Sequence, residues 1–315
     1  MSEDLKSSES LVETGSIHEK SLGRKLRKVP SDTPFLLGLS LIFGLYLLLI
    51  LGMLVADANY TSFADIKETM SSPDIQHSLK ITMLSCLIAT ILSVIVAVPT
   101  GYLLSRFRFP GKTACDALLD IPIILPPLVI GLSLLILFHK FHIFGTSIEE
   151  WCVTIFTGVY SFFTGSLPDF SVGITYKVPA IILAQFSVSC AFAVRTMRNT
   201  FDQMSPRQEQ VAMTLGCNRS KAFWLIAVPG AWRGILTAMA LAWARALGEF
   251  GPILIFAGTT RGKTEVLSTS VFLEISIGNL EGAVAVSMIM VAIALAVLFL
   301  VRLIDGRKGG FYDYN

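Results

Sequence analysis

Six stretches of this chain are apolar for about 20 residues at a time, the length that spans a bilayer core of roughly 30 Å as a helix. They run Phe35–Ala56, Ile81–Leu104, Leu118–Phe138, Pro179–Met197, Gly234–Ala257 and Gly282–Val301. The fourth is the least apolar, because Gln185, Ser187 and Ser189 interrupt it. Side chains of that kind in a membrane helix hydrogen-bond to neighbouring helices. A further stretch, Trp151–Leu167, is aromatic but dotted with Thr, Ser and Gly. It is read as an amphipathic segment at the outer interface, where Trp and Tyr are favoured, and not as a seventh span.

Charge between the stretches alternates. Lys20, Arg24, Lys25, Arg27 and Lys28 precede the first; Asp57, Asp65, Glu68 and Asp74 follow it against Lys67. The second loop carries Arg106, Arg108 and Lys112; the third holds Glu149, Glu150 and Asp169 with Lys140 and Lys177. The fourth is basic again (Arg198, Arg207, Arg219, Lys221, Arg233), and Arg302, Arg307 and Lys308 follow the last span. Lys and Arg accumulate on the cytoplasmic side, so both termini and loops two and four are predicted inside, a parity that six spans satisfy. Crossing at Trp151–Leu167 would put the basic fourth loop outside.

Composition supports a membrane assignment. Of 315 residues 53% are apolar and 15% charged, against an average of about 45–50% and about 25%, and the mean hydropathy is +0.67. A soluble enzyme, a disordered regulator and a nucleic-acid-binding domain are excluded. The net charge of +2 says little, since placement matters more. Five cysteines and four histidines show no metal-ligand spacing, so no metal is expected. Cys152 alone is placed outside, Cys115 and Cys217 inside, and Cys86 and Cys190 within spans. His139 and His142 have no carboxylate or cysteine in register and are read as interfacial. Residues 1–34 read as a disordered basic cytoplasmic tail, with no cleavable signal, and 305–315 as a cytoplasmic C-terminal tail.

The fourth loop has internal order. Ser205-Pro206-Arg207-Gln208 has the form of a capping box, with Ser205 at the cap and Gln208 at the third helical position. A short helix is predicted to follow with Val211, Ala212 and Leu215 on one face, closed by Gly216 in the left-handed region. A second short helix, about Ser220 to Val228, should be stopped by Pro229. Two short helices at the cytoplasmic face make a docking knob for a soluble partner.

Gln210-Val211-Ala212, then Gly216, Ile226 and Pro229, resembles the "EAA" loop of ABC-importer permeases, in which Glu-Ala-Ala is followed at fixed spacing by Gly, Ile, Leu and Pro. Every anchor falls at the family spacing. Gln210 stands in place of Glu (with Glu209 beside it), Val211 in place of Ala, and Val228 in place of Leu. The resemblance runs from about Leu79 to Val301. It implies an all-α, six-span permease of the type I importer (MetI-like) fold, with 35–56 as the first span, the type-1 permease domain over residues 77–304 and 140–178 as an extracytoplasmic insertion. It also implies a homodimer or pseudo-homodimer in a bacterial or archaeal cytoplasmic membrane, a cytoplasmic ATPase seated on the loop, and a soluble binding protein outside. The chain has no Gly-x-x-x-x-Gly-Lys-[Ser/Thr] loop, so ATP and Mg belong to the partner; no cofactor is expected here.

The fifth stretch contains Ala244-Arg245-Ala246-Leu247-Gly248-Glu249-Phe250-Gly251. An ionisable group at that depth costs at least about 2.5 kcal/mol, so Arg245 and Glu249 should face the bundle interior, and their i,i+4 spacing lets them pair. Two readings stand: a structural pair, or a gate element where Arg245 eases passage of an anion. Ser187 and Ser189 are further pathway candidates. The run is similar to the corresponding stretch of molybdate and sulfate permeases, and Phe256-Ala257-Gly258, Arg261-Gly262-Lys263-Thr264 and Leu280-Glu281-Gly282-Ala283 fit the same group. That implies a tetrahedral oxyanion, molybdate or tungstate first and sulfate or thiosulfate second. Pro122, Pro126 and Pro127 in the third span, with Gly131, make either a static kink or a hinge for alternating access. The rivals are an ATPase-independent secondary transporter, expected to show more intramembrane carboxylates or an inverted repeat, and a membrane enzyme, expected to cluster His, Asp or Glu.

Overall fold

The computed structural model describes residues 33–143, 145–164 and 173–307. The expected N-terminal tail, most of the C-terminal tail and part of the 140–178 insertion lie outside them. Helix α1 (Thr33–Tyr60) is apolar and exposed along its length, as expected of a helix in lipid. It straddles a division of the chain into two units, Met1–Val55 and Ala56–Asn315.

In the second unit, α2 (Phe63–Ser71) starts on a capping box between Ser62 and Asp65, and α3 (Pro73–Arg106) follows with Pro73 at its first turn. The broken third stretch is α4 (Lys112–Ile124) and α5 (Pro127–Leu135), the latter extended by a wide turn at Ile136–Lys140. A hairpin of β1 (His142–Ile143) and β2 (Thr146–Ser147) leads to α6 (Ile148–Thr164). Then come α7 (Val178–Gln203) and α8 (Arg207–Thr214). Helix α9 (Arg219–Ala222) runs on through a wide turn at Phe223–Ala227 to Gly230. The chain ends in α10 (Trp232–Leu247), α11 (Gly251–Phe256), α12 (Leu267–Ser276) and α13 (Leu280–Arg307).

The most extensive packing joins α3 to α7, with α10 against both. Small residues make this possible: Ala97, Ala193, Ala238 and Ala242 are fully buried together. Gly101 lies so close to α7 that an added Cβ would come 2.8 Å from Arg198 N. Lipid offers apolar side chains no incentive to associate, so close backbone approach and interhelical hydrogen bonds hold such bundles. The Ser93 and Ser189 hydroxyls meet at 3.0 Å across this seam.

Among the described residues the fold is an all-helical membrane bundle apart from the small hairpin, with four helices long and apolar enough to cross, or up to six if each bent pair is one span. Three sequence expectations change. The third stretch is no kinked helix: α4 and α5 meet at 108°, with the break at Leu125–Pro126. Pro126 caps α5 and Pro127 occupies its first turn, whereas Pro122 sits inside α4. The fifth stretch, expected to be continuous to Ala257, stops at Leu247 and resumes at Gly251. A 16-residue helix rises only about 24 Å, and α11 extends the stretch. Helix α12 was not expected at all.

The two breaks lock together. A Cβ on Gly131 of α5 would meet Pro252 Cα of α11 at 2.8 Å, and one on Gly251 would meet Pro127 Cβ at 2.9 Å and Leu128 N at 3.0 Å. Each break supplies the glycine into which the other presses.

Helix α6 is described over 17 residues, as far as Thr164. Glu149 in its first turn accepts hydrogen bonds from Ile174 N (2.7 Å), Thr175 N (3.0 Å) and Thr175 Oγ1 (2.7 Å). His139 lies 3.9 Å from Glu149 Oε2. It therefore has a carboxylate neighbour in space, which sequence register did not reveal. His142 instead meets Lys140 O at 2.7 Å.

Candidate functional site

The fourth loop starts differently from its sequence pattern. Pro206 already has helical torsions and acts as the cap, so Ser205 Oγ reaches only Arg207 N, at 3.4 Å, and the box with Gln208 does not form. Helix α8 closes at Gly216, whose φ of +96° suits glycine, with Cys217 N donating to Ala212 O at 3.0 Å and Gly216 N to Met213 O at 3.1 Å. Asn218 Oδ1 then accepts from Lys221 N at 2.8 Å and caps α9. Pro229 does not stop that helix. The wide turn before it, in which Val228 N donates to Phe223 O, shifts the hydrogen-bond register and accommodates a proline. The chain instead bends by 70° after Gly230.

The expected shared face of α8 is divided. Ala212 turns inward, whereas Val211 is 57% and Leu215 81% exposed. On the following turns Trp224 and Leu225 are exposed as well. Ile226 is half-buried, and Gln210 and Pro229 are exposed.

What fixes the loop is Glu209. Its carboxylate accepts from Tyr102 Oη at 2.7 Å and from Arg106 Nε at 3.0 Å, with Arg106 Nη2 also at 3.0 Å. Arg106 in turn donates to Phe201 O and Met204 O, at 2.8 and 3.1 Å. One guanidinium thus ties the ends of α3 and α7 to the start of α8, and its charge sits where the α7 carbonyls concentrate negative potential. Arg219 lies over the Phe107 ring at 5.3 Å. The loop pattern marked Glu209 only as a neighbour of Gln210, and its partners lie about a hundred residues away. No local signal could have found them.

Arg245 and Glu249 do pair, Nη2 to Oε2 at 3.0 Å. Glu249 lies in the break between α10 and α11, and its backbone oxygen accepts from Ser268 Oγ at 2.7 Å. The Arg245 guanidinium also lies over Phe192, 5.8 Å from the ring centre. Of the other pathway candidates, Ser189 bridges to Ser93 and donates to Gln185 O, while Ser187 is half-buried and donates to Ala184 O at 2.8 Å. Sequence reasoning missed a second fully buried carboxylate, Glu265, which accepts from Ser270 Oγ at 2.7 Å. It also missed the ion pairs Arg198–Asp116 (2.7 Å) and Arg195–Asp120 (3.7 Å), which join α4 to α7. Among the described residues no group of three or more His, Cys, Asp or Glu could hold a metal.

A broken-helix membrane bundle with a rigidly mounted loop exposing apolar side chains is the shape of a permease subunit that takes its energy from a separate protein. The chain belongs to the family described as "Binding-protein-dependent transport system inner membrane component", whose model matches residues 97–309. It is a multi-pass membrane component of an ABC transporter and not itself the ATPase. The sulfate transport system permease protein CysT of Escherichia coli K12 is 32% identical over 284 residues, covering 90% of this chain and 96% of that one. The molybdate/tungstate transport system permease protein WtpB of Thermococcus kodakarensis is 30% identical over 241 residues, covering 76% and 83%. In fold the chain is similar to a subunit of a bacterial alginate ABC transporter crystallised with its periplasmic protein: TM-score 0.64, 15% identity, 89% and 96% covered.

Proposed function

We propose that this chain forms the membrane pathway of an importer for a tetrahedral oxyanion, with sulfate the first cargo and molybdate or tungstate the second. The observation carrying this reading is the similarity to a sulfate permease along 96% of that protein's length. It reverses the order expected from the fifth stretch, which put molybdate first. The molybdate reading keeps support from the 30% identity to the molybdate/tungstate permease.

In this reading a binding protein delivers the anion outside, two copies of the chain enclose the path, and both sets of termini are cytoplasmic. The ATPase seats on the exposed apolar side chains of Val211, Leu215, Trp224 and Leu225, together with Gln210 and Pro229, which are exposed as well. Glu209, Ala212 and Gly216 hold that surface in shape, and Ile226 supports it from below. Because Arg106 mounts the knob on the ends of α3 and α7, motion of the ATPase reaches the bundle as displacement of whole helices. The breaks at Pro126–Pro127 and at Gly248–Phe250 are where it bends, with Pro122 carried inside α4.

The test is ATP-dependent uptake of labelled sulfate into vesicles holding this chain, its ATPase and its binding protein, with excess molybdate as competitor. Sulfate uptake that resists molybdate is the expected result. Molybdate uptake that resists excess sulfate would shift the cargo to the second reading. Uptake of neither anion, or uptake without the ATPase, would overturn the proposal.

A further inference from the structure

Arg245 and Glu249 form one ion pair, but the fold treats its two halves unequally. The Glu249 side chain is 1% exposed and the Arg245 side chain 31%. A guanidinium at membrane depth is too costly to leave facing hydrocarbon, so its exposed edge must face water or protein. It also sits beside the gap between α10 and α11, and interrupted backbone within a membrane is tolerated where it lines a cavity or is covered by protein. Two contacts hold the group: the Glu249 carboxylate at 3.0 Å from Nη2 and the Phe192 ring, 5.8 Å from the guanidinium carbon. A guanidinium has five N–H donors in a fixed fork. Glu249 approaches it at Nη2 alone, as a charge pair that makes no hydrogen bond to Oε2, so N–H donors are left for another acceptor.

We propose that Arg245 is the point at which the passing oxyanion touches this subunit, its free N–H groups donating to the anion's oxygens, and that Glu249 is a positioning residue. This deepens the oxyanion reading and rests on it. A carboxylate four residues away looks from sequence like a barrier to an anion. Burial removes that objection, because the anion meets the guanidinium and not the carboxylate. Glu249 still cancels most of the site's net charge, which keeps the contact weak. Passage needs binding favourable enough to enter and weak enough to leave, and an unopposed arginine would retain a divalent anion.

The experiment measures anions imported per ATP hydrolysed in proteoliposomes holding the full complex, for wild type, Arg245→Gln, Arg245→Lys and Glu249→Gln. Loss of fold or assembly lowers transport and ATP hydrolysis together, so this ratio separates a pathway contact from a structural one. For Arg245→Gln the ratio should fall about tenfold, the scale of one lost charge-assisted hydrogen bond, while binding-protein-stimulated hydrolysis stays within about twofold. Arg245→Lys, which keeps the charge but not the fork, should recover part of it. Glu249→Gln should lower the ratio about threefold through slow release, an effect that higher ionic strength relieves. An unchanged ratio in Arg245→Gln, or transport and hydrolysis falling in step in both arginine variants, would overturn the proposal and leave the oxyanion reading intact. A wild-type complex that imports neither sulfate nor molybdate would overturn both.

Discussion

Two carboxylates show how single residues set the behaviour of surrounding chain. Glu209 is buried with Arg106, and removing one member of such a pair strands the other charge, at a cost of about 3–5 kcal/mol. Glu209→Ala is therefore expected to loosen α8 from the ends of α3 and α7. Amide hydrogen exchange across 207–216 should accelerate and the ATPase should fail to co-purify, with the rest of the bundle unaffected. Glu149 gives a pH dependence of definite sign. Burial would raise its pKa, but the hydrogen bonds from Thr175 Oγ1 and from the Ile174 and Thr175 amides, with His139 nearby, outweigh that and hold it below 4.5. A carboxyl lowered on folding contributes stability above its unfolded pKa and loses it as pH falls through the folded value. The tether from α6 to Ile174–Thr175 is thus expected to hold from neutral pH to about pH 4.5 and to weaken below it, read as protease cleavage near residue 174. In Glu149→Gln cleavage should vary little over the same range.

At the scale of elements, the decisive feature is the contact between the two breaks. Gly131→Ala and Gly251→Ala each force a methyl group into backbone, and overpacking of this kind costs roughly 1–3 kcal/mol. Because both report on one interface, the double variant should be less destabilised than the sum of the singles. Thermal unfolding of the purified subunit in detergent, carried through the four-membered cycle, checks this; strict additivity would mean the breaks move independently. This is also where the sequence was least legible. The apolar stretches marked where the membrane helices lie, because hydrophobic length is a local property. They did not give the interruption at Gly248–Phe250, where Gly, Glu and Phe read as one apolar run with a pair inside it. The Gly131–Pro252 contact joins residues 121 positions apart and leaves no periodic trace. Likewise Gly216 was readable as a helix end from its type and place, whereas Pro229 was misread as a stop because a wide turn upstream is invisible in the sequence.

For the whole molecule, the orientation expected from where basic residues gather can be tested directly through the cysteines. A membrane-impermeant maleimide applied to intact cells should label Cys152 alone, and Cys115 and Cys217 should react only after permeabilisation. Cys115 is exposed and Cys152 and Cys217 half-buried, so each is reachable from its own side. Cys86 is fully buried and should stay unreactive in both conditions. Labelling of Cys217 from outside would invert the bundle and remove the apolar knob from the ATPase's reach.

The tight glycine contacts also bear on how this sequence can change. Opposite Gly131 and Gly251 stand mainly backbone atoms, Pro252 Cα and O in the first case and Leu128 N and Pro127 C in the second, which no second substitution can trim away. At Gly234 the obstacle is the side chain of Thr200, which a smaller residue would remove. A genetic screen starting from Gly234→Ala should therefore recover suppressors at position 200, such as Thr200→Gly, whereas one starting from Gly131→Ala should return only true revertants. The break-to-break contact is then the part of the molecule from which mutation has no neighbouring way out.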